Sequence, residues 1–200
     1  ANPFVDRSSV RIDDESGARQ AAEHVLALGH RSVVVVAVAE PGLPPTDPSG
    51  VMGRRLAGYR CALRAAGLDL PDDHVVHGPA SIAGGIRAME SAWARGLAPT
   101  AVLAMSDASA VGVIRAARDR DLEVPEDLSV VGFHDVDLAR FTDPPLTTVH
   151  QPARRKGEEA VRLLLQAIAD PGAPPEHCLL ETHLVIRAST GRPRGARPAA

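Results

Sequence analysis

The chain has 200 residues, 44% of them apolar and 24% charged, a composition that supports one ordinary core or two small lobes and excludes an unfolded polyelectrolyte. A formal net charge of −3, with acids and bases interspersed, excludes a broad basic footprint for nucleic acid within the chain. Aromatics are only 2%, so Ala, Val, Leu and Ile must build the core, and no run approaches the roughly 18 apolar residues of a membrane span.

In chain order, "FVDR" (4–7) and "SVRI" (9–12) read as short extended segments. The opening, without methionine and with strand-like residues, is what a piece of a longer polypeptide would show. Asp13, Asp14 and Glu15 read as a solvated acidic turn before a helix over 16–28, whose Ala18, Ala21, Ala22, Val25 and Leu26 share one face and whose stop is Gly29. "SVVVVAV" (32–38) is continuously apolar, which suits a parallel strand covered on both sides. Residues 39–53, with four prolines and three glycines, form a long loop of the kind that is functional or mobile. A helix through Leu56, Tyr59, Leu63 and Ala66 stops at Gly67, followed by a short strand over 74–78 and a helix over 82–95.

"TAVLAM" (100–105) is the next strand, and Ser106 or Asp107 caps the helix through Ala110, Val111, Ile114 and Ala117. Strands follow at 128–133 and 146–149, then an amphipathic helix over 153–169 with Ala160, Val161, Leu164, Leu165 and Ile168 inward. "PGAPP" (171–175) is a linker, 178–189 alternates into a last strand or pair of strands, and the Pro/Gly/Arg end is a solvated tail. Strand–helix alternation at this spacing predicts an α/β fold with a doubly wound, parallel, right-handed sheet, whose ligands bind outside the carboxyl ends of the strands.

Enzyme signatures are missing: no phosphate loop, no dinucleotide fingerprint, no nucleophile elbow and no zinc-protease motif. "ASIAGG" (80–85) reads as ordinary turn chemistry before a helix, the eight histidines share no metal-ligand spacing, and Cys61 and Cys178 read as reduced, packed thiols of a cytosolic protein. A non-enzymatic chain with no cofactor and no metal is expected.

"EHVLALGHRSVVVV", "GRRLAGYRCALRAAGL", "PTAVLAMSDASAVGVIRAARDRDLEVPEDLSVVGFHD", "PPLTTVHQP" and "LVIRAS" occur in an order and spacing that resemble the LacI/GalR family of bacterial transcriptional repressors, from about residue 5 to 190. The resemblance implies a two-lobed, periplasmic-binding-protein-like core with a small polar effector, a sugar or sugar derivative, between the lobes. It also implies a cytoplasmic homodimer that holds operator DNA through an N-terminal helix-turn-helix domain, which would precede Ala1. On this pattern residues 1–30 are a remnant of the N-terminal lobe, 31–150 the C-terminal lobe, 151–172 a helix returning to the N-terminal lobe, 173–190 end strands of the C-terminal lobe, and 191–200 a disordered tail. Crossovers would lie at Gly29-His30, Gln151-Pro152 and Pro171–Pro175. An extracytoplasmic solute-binding protein of the same fold is the alternative, distinguished by a signal peptide in place of a helix-turn-helix upstream.

The resemblance also nominates the site. Arg55, favoured over Arg54, stands where relatives place an arginine that grips the effector with its planar fork of donors. Ser49 and Val51 line the same pocket, and Ser106 and Asp107 end a strand where the first of a polar pair reaches the ligand. Ala80 stands where relatives often present an aromatic platform. His134 replaces the first aspartate of a Gly-aromatic-Asp-Asp pattern and leaves Asp135 as the surviving carboxylate. A histidine donates and accepts where a carboxylate only accepts, which suggests an anionic or acceptor-rich effector group facing Arg55 and His134. Pro145, Leu146, Thr147 and Thr148 fall in the stretch that family dimers use near their interface.

Overall fold

Strands and helices alternate along residues 7–38 and 50–194, which this computed structural model describes. In order they are β1 (Ser9–Ile12), α1 (Asp14–Ala27), β2 (Val33–Val38), α2 (Val51–Ala65), β3 (Val75–Gly78), α3 (Ile82–Ala94), β4 (Ala101–Ala104), α4 (Asp107–Arg118), β5 (Ser129–His134), β6 (Thr147–His150), α5 (Ala153–Ala169), β7 (His177–Leu180) and β8 (His183–Val185). Six strands form one sheet in the order β3-β2-β4-β5-β6-β8, parallel except for β8, and β1 pairs with β7 in a separate parallel ribbon.

The apolar run of β2 is buried along its whole length because the sheet is covered on both faces. Val33 and Val35 pack toward α1 and α2 with Ala18, Ala22, Val25, Tyr59 and Leu63, whereas Val34 and Val36 pack toward α3 and α4 with Ala88, Met89, Ala110 and Val113. The α/β, mostly parallel class expected from the sequence is what the structure has.

Helix α1 departs from its expected role as a lobe remnant. Ala18, Ala21, Ala22 and Val25 are all 0% exposed, seated on α2 and the large sheet. The seat works because the partner surface is small: a Cβ on Gly58 of α2 would lie 2.2 Å from the Glu15 carbonyl oxygen. The end strands expected as one unit over 173–190 are also split. Strand β7 pairs with β1, from Ser9 opposite His177 to Ile12 opposite Leu180, while β8 pairs with β6. The chain therefore passes between the two sheets at Ile12–Asp14, His150–Pro152 and Leu180–His183 rather than at Gly29-His30 or Pro171–Pro175. His30 lies inside the larger unit, 1% exposed and hydrogen-bonded to Thr100 Oγ1, Ser129 Oγ and the Gly191 carbonyl.

Helix α5 corrects the direction expected for its apolar stripe. Only Leu163 is buried in it, and Val161, Leu164, Leu165 and Ile168, at helical spacing, are 56–67% exposed. The helix rests on β1 through the opposite side of its circumference. No helix among the described residues is long and apolar enough to cross a membrane.

Candidate functional site

The carboxyl ends of β2, β4, β5 and β6 meet the first turns of α1, α2 and α4, where polar side chains of distant sequence position converge. Asp14 opens α1 and is 2% exposed; Asp13 before it caps the helix by accepting from the Ser16 amide at 3.0 Å. One Asp14 oxygen accepts from Arg55 Nε at 2.9 Å and the other from Arg54 Nη2 at 3.0 Å. The Arg55 guanidinium lies 3.6 Å above the Phe133 ring, donates to the Met105 carbonyl at the tip beyond β4, and comes within 3.3 Å of His134 Nε2. An arginine only donates, so His134 Nε2 accepts, which assigns the neutral ring its proton on Nδ1. Burial, then the Arg55 charge, brings the His134 pKa from 6.5 to about 4, so the ring is neutral at neutral pH.

Strand β5 ends in backbone that L-residues rarely adopt, with φ of 120° at His134 and 57° at Asp135. Asp135 has partners other than Arg55. Its oxygens accept from Arg187 Nη2 at 2.6 Å and pair with His150 Nδ1 at 2.9 Å. Burial works to raise the Asp135 pKa, but the bonds from Arg187 and His150 outweigh it and leave the carboxyl below its ordinary range.

Asp107 is a clamp inside the lobe. It accepts from Thr148 Oγ1 at 2.5 Å and from the Val136 amide at 2.9 Å, and burial raises its pKa against those bonds. The helix cap is Ser106, 3% exposed, which accepts from the Ser109 amide at 3.1 Å and donates to the Ser109 hydroxyl at 2.8 Å. The structure thus brings Arg55 and His134 into contact, stations Ser106, Asp107 and Asp135 on the same edge with their polar atoms engaged by the protein, and leaves Val51 (40% exposed) and Ala80 at the surface. Ser49 lies outside the described residues.

The residues expected at a subunit interface are corrected for three of four positions. Leu146, Thr147 and Thr148 are 0% exposed because β6 is flanked by β5 and β8 and their side chains serve the lobe; Pro145 alone is at the surface. Asp14, His150 and Arg187 went unread as site residues. His150 carried one usable signal, its place at a strand end beside His134; Asp14 was hidden in an acidic run that elsewhere is solvent-facing.

An open cavity of about 430 Å³ is bordered by His134, Asp135, His150, Pro152 and Arg155, among others. A second, of about 460 Å³, continues past His150 to His183, whose rings lie 4.9 Å apart. Among the described residues no group of three or more His, Cys, Asp or Glu side chains could hold a metal ion. Among the described residues the arrangement supplies donors, acceptors and compensated charge, and is suited to recognising a polar guest.

Residues 22–190 match the family described as periplasmic binding protein-like domain. The ribose operon repressor of Escherichia coli (strain K12) is 36% identical over 189 residues, covering 94% of this chain and 55% of the repressor. The solved complex of the transcriptional regulator CelR with cellobiose superposes with a TM-score of 0.85 at 35% identity, covering 94% of this chain and 55% of the other. A LacI family transcriptional regulator from Enterococcus faecium with bound ribose gives a TM-score of 0.80 at 30% identity, covering 96% and 68%. The chain spans about half the length of the curated relatives it matches.

Proposed function

Because the chain belongs to the family of LacI-type transcriptional regulators with a periplasmic-binding-protein-like domain, we propose that it senses a small uncharged sugar at its strand tips and leaves that sugar chemically unaltered. The observation that carries this reading is the Asp14–Arg55–His134 contact, a row of polar groups at the carboxyl end of a parallel sheet where the chain passes between two sheets. The relatives named ribose operon repressor and cellobiose-bound CelR support the ligand class, and one is named a repressor and the other a transcriptional regulator.

An anionic effector group, expected from Arg55 facing His134, is not kept in this proposal. Arg55 already has a carboxylate on its Nε, and His134 is uncharged at neutral pH. Donor–acceptor pairs of that kind suit sugar hydroxyls, each of which donates and accepts. The remaining parts of the proposal come with the family. The sensing unit acts in the cytoplasm as a homodimer, and operator DNA is held by a helix-turn-helix domain outside this chain. Val136, Leu138 and Phe141, 45%, 48% and 81% exposed in the segment before Pro145, offer apolar side chains to a second subunit in place of the buried β6 side chains.

A thermal-shift panel of ribose, cellobiose, their sugar acids and their phosphates tests the reading. Uncharged sugars are expected to raise the melting temperature by mass action on the folded state, and the acids are not. Stabilisation by the acids or phosphates alone would overturn it.

A further inference from the structure

We propose that Asp14 is a specificity-determining residue: its carboxylate takes the position against Arg55 that an anionic ligand group would otherwise occupy, and so reserves the strand tips for uncharged ligands. The inference rests on the sugar-sensing reading and names one residue that enforces it.

Three observations carry it. The Asp14 side chain is 1% exposed and spans both guanidinium groups of the Arg54-Arg55 pair, with Arg55, whose side chain is 3% exposed, at 2.9 Å. A desolvated guanidinium without a counter-charge is a strong anion site; one already held by a carboxylate has little to gain from a second. The backbone fixes Asp14 where it stands. The Asp13 amide donates to the Leu180 carbonyl at 2.8 Å, and the Asp13 carbonyl accepts from Thr182 Oγ1 at 2.9 Å, so the carboxylate is anchored by the passage from β7 to β8 as well as by its own helix. The Arg55 guanidinium also donates to the Met105 carbonyl, lies on the Phe133 ring and meets His134 as an acceptor, so among the described residues its side-chain hydrogen-bond partners, Asp14 and His134, both offer it electron pairs. Substrate charge is thereby selected by a residue that does not need to touch the ligand.

The variants are Asp14→Asn, which removes the charge and keeps the shape, and Asp14→Glu, which restores the charge. The probes are inorganic phosphate and ribose, read by thermal shift and by titration calorimetry. Phosphate is expected to bind D14N at least about tenfold more tightly than wild type, a modest share of one uncompensated charge at contact distance, and to raise its melting temperature. D14E is expected to return to wild-type behaviour, and adding Arg55→Gln to D14N to abolish the gain. If D14N is partly unfolded, the same preference appears as recovery of the folded signal by circular dichroism when phosphate is added. An equal phosphate response in wild type and D14N, or a D14N that is merely less stable with no phosphate response, overturns the role of Asp14 and reduces the contact to a structural ion pair. Failure of ribose and other uncharged sugars to bind wild type, with the D14N phosphate gain intact, sinks the sugar-sensing reading and leaves the charge-setting role standing.

Discussion

His134 carries two constraints at once: a φ of 120° that favours glycine, and a ring pressed against a buried cation. The second has a measurable consequence. The pKa of His134 falls from 6.5 to about 4, chiefly through burial and then through Arg55, and those of His24, His30 and His77 are lowered too, chiefly through burial. A histidine lowered by folding takes its proton more readily in the unfolded chain. Its contribution is complete above pH 6.5 and is lost as the pH falls toward the folded value. At about 1.4 kcal/mol per pH unit, His134 alone accounts for a loss on the order of 3 kcal/mol across that window. His134→Asn, tolerant of positive φ and unable to titrate, is expected to flatten the acid limb of urea-denaturation stability measured on either side of the window. An unchanged acid limb in that variant would show that the ring is not buried in solution. Of these residue-scale facts, the sequence exposes only that a histidine and an aspartate follow a buried strand. Asp14 was illegible because its partner Arg55 is 41 positions away, and nothing local distinguishes a carboxylate at a solvated helix start from one buried under an arginine.

Strand β5 and helix α5 are where element-level packing can be tested. A Cβ on Gly132 would lie 2.3 Å from Asp107 Oδ1 and 2.9 Å from Leu146 Cδ2, so the bare backbone is what lets Asp107 reach both Thr148 and the Val136 amide. Gly132→Ala is expected to cost about 1–3 kcal/mol by overpacking and to weaken sugar binding with it. A denaturation midpoint equal to wild type would contradict the clamp. Helix α5 gives the reverse case: its stripe is apolar and exposed, so Leu165→Gln with Ile168→Glu is expected to leave the melting temperature nearly unchanged. A fall of several degrees would mean that the stripe is covered within the monomer. The bounds of α5, 153–169, were readable from its periodicity, but the object its stripe faces was not. Spacing reports that one side is apolar and says nothing of what lies against it.

Across the whole molecule, alternation of apolar runs and amphipathic helices was enough to read the doubly wound sheet, because a strand such as "VVVVAV" is stable only when helices cover both faces. The division between the large sheet and the β1–β7 ribbon was less legible. Its defining pair joins Ser9 to His177, and no composition shift marks which end strand pairs with the chain's beginning. Among the described residues the molecule presents an edge of strand tips beside three passages between sheets, with its charged side chains paired along that edge. Chemical-shift mapping by NMR during titration with ribose and with cellobiose tests this most directly. The expected result is saturable shifts at His134, Asp135, Ser106 and the first turn of α2, with the amino-terminal edge at His30, Thr100 and Ser129 unmoved. Shifts centred on that opposite edge, or none at saturating sugar, would contradict it.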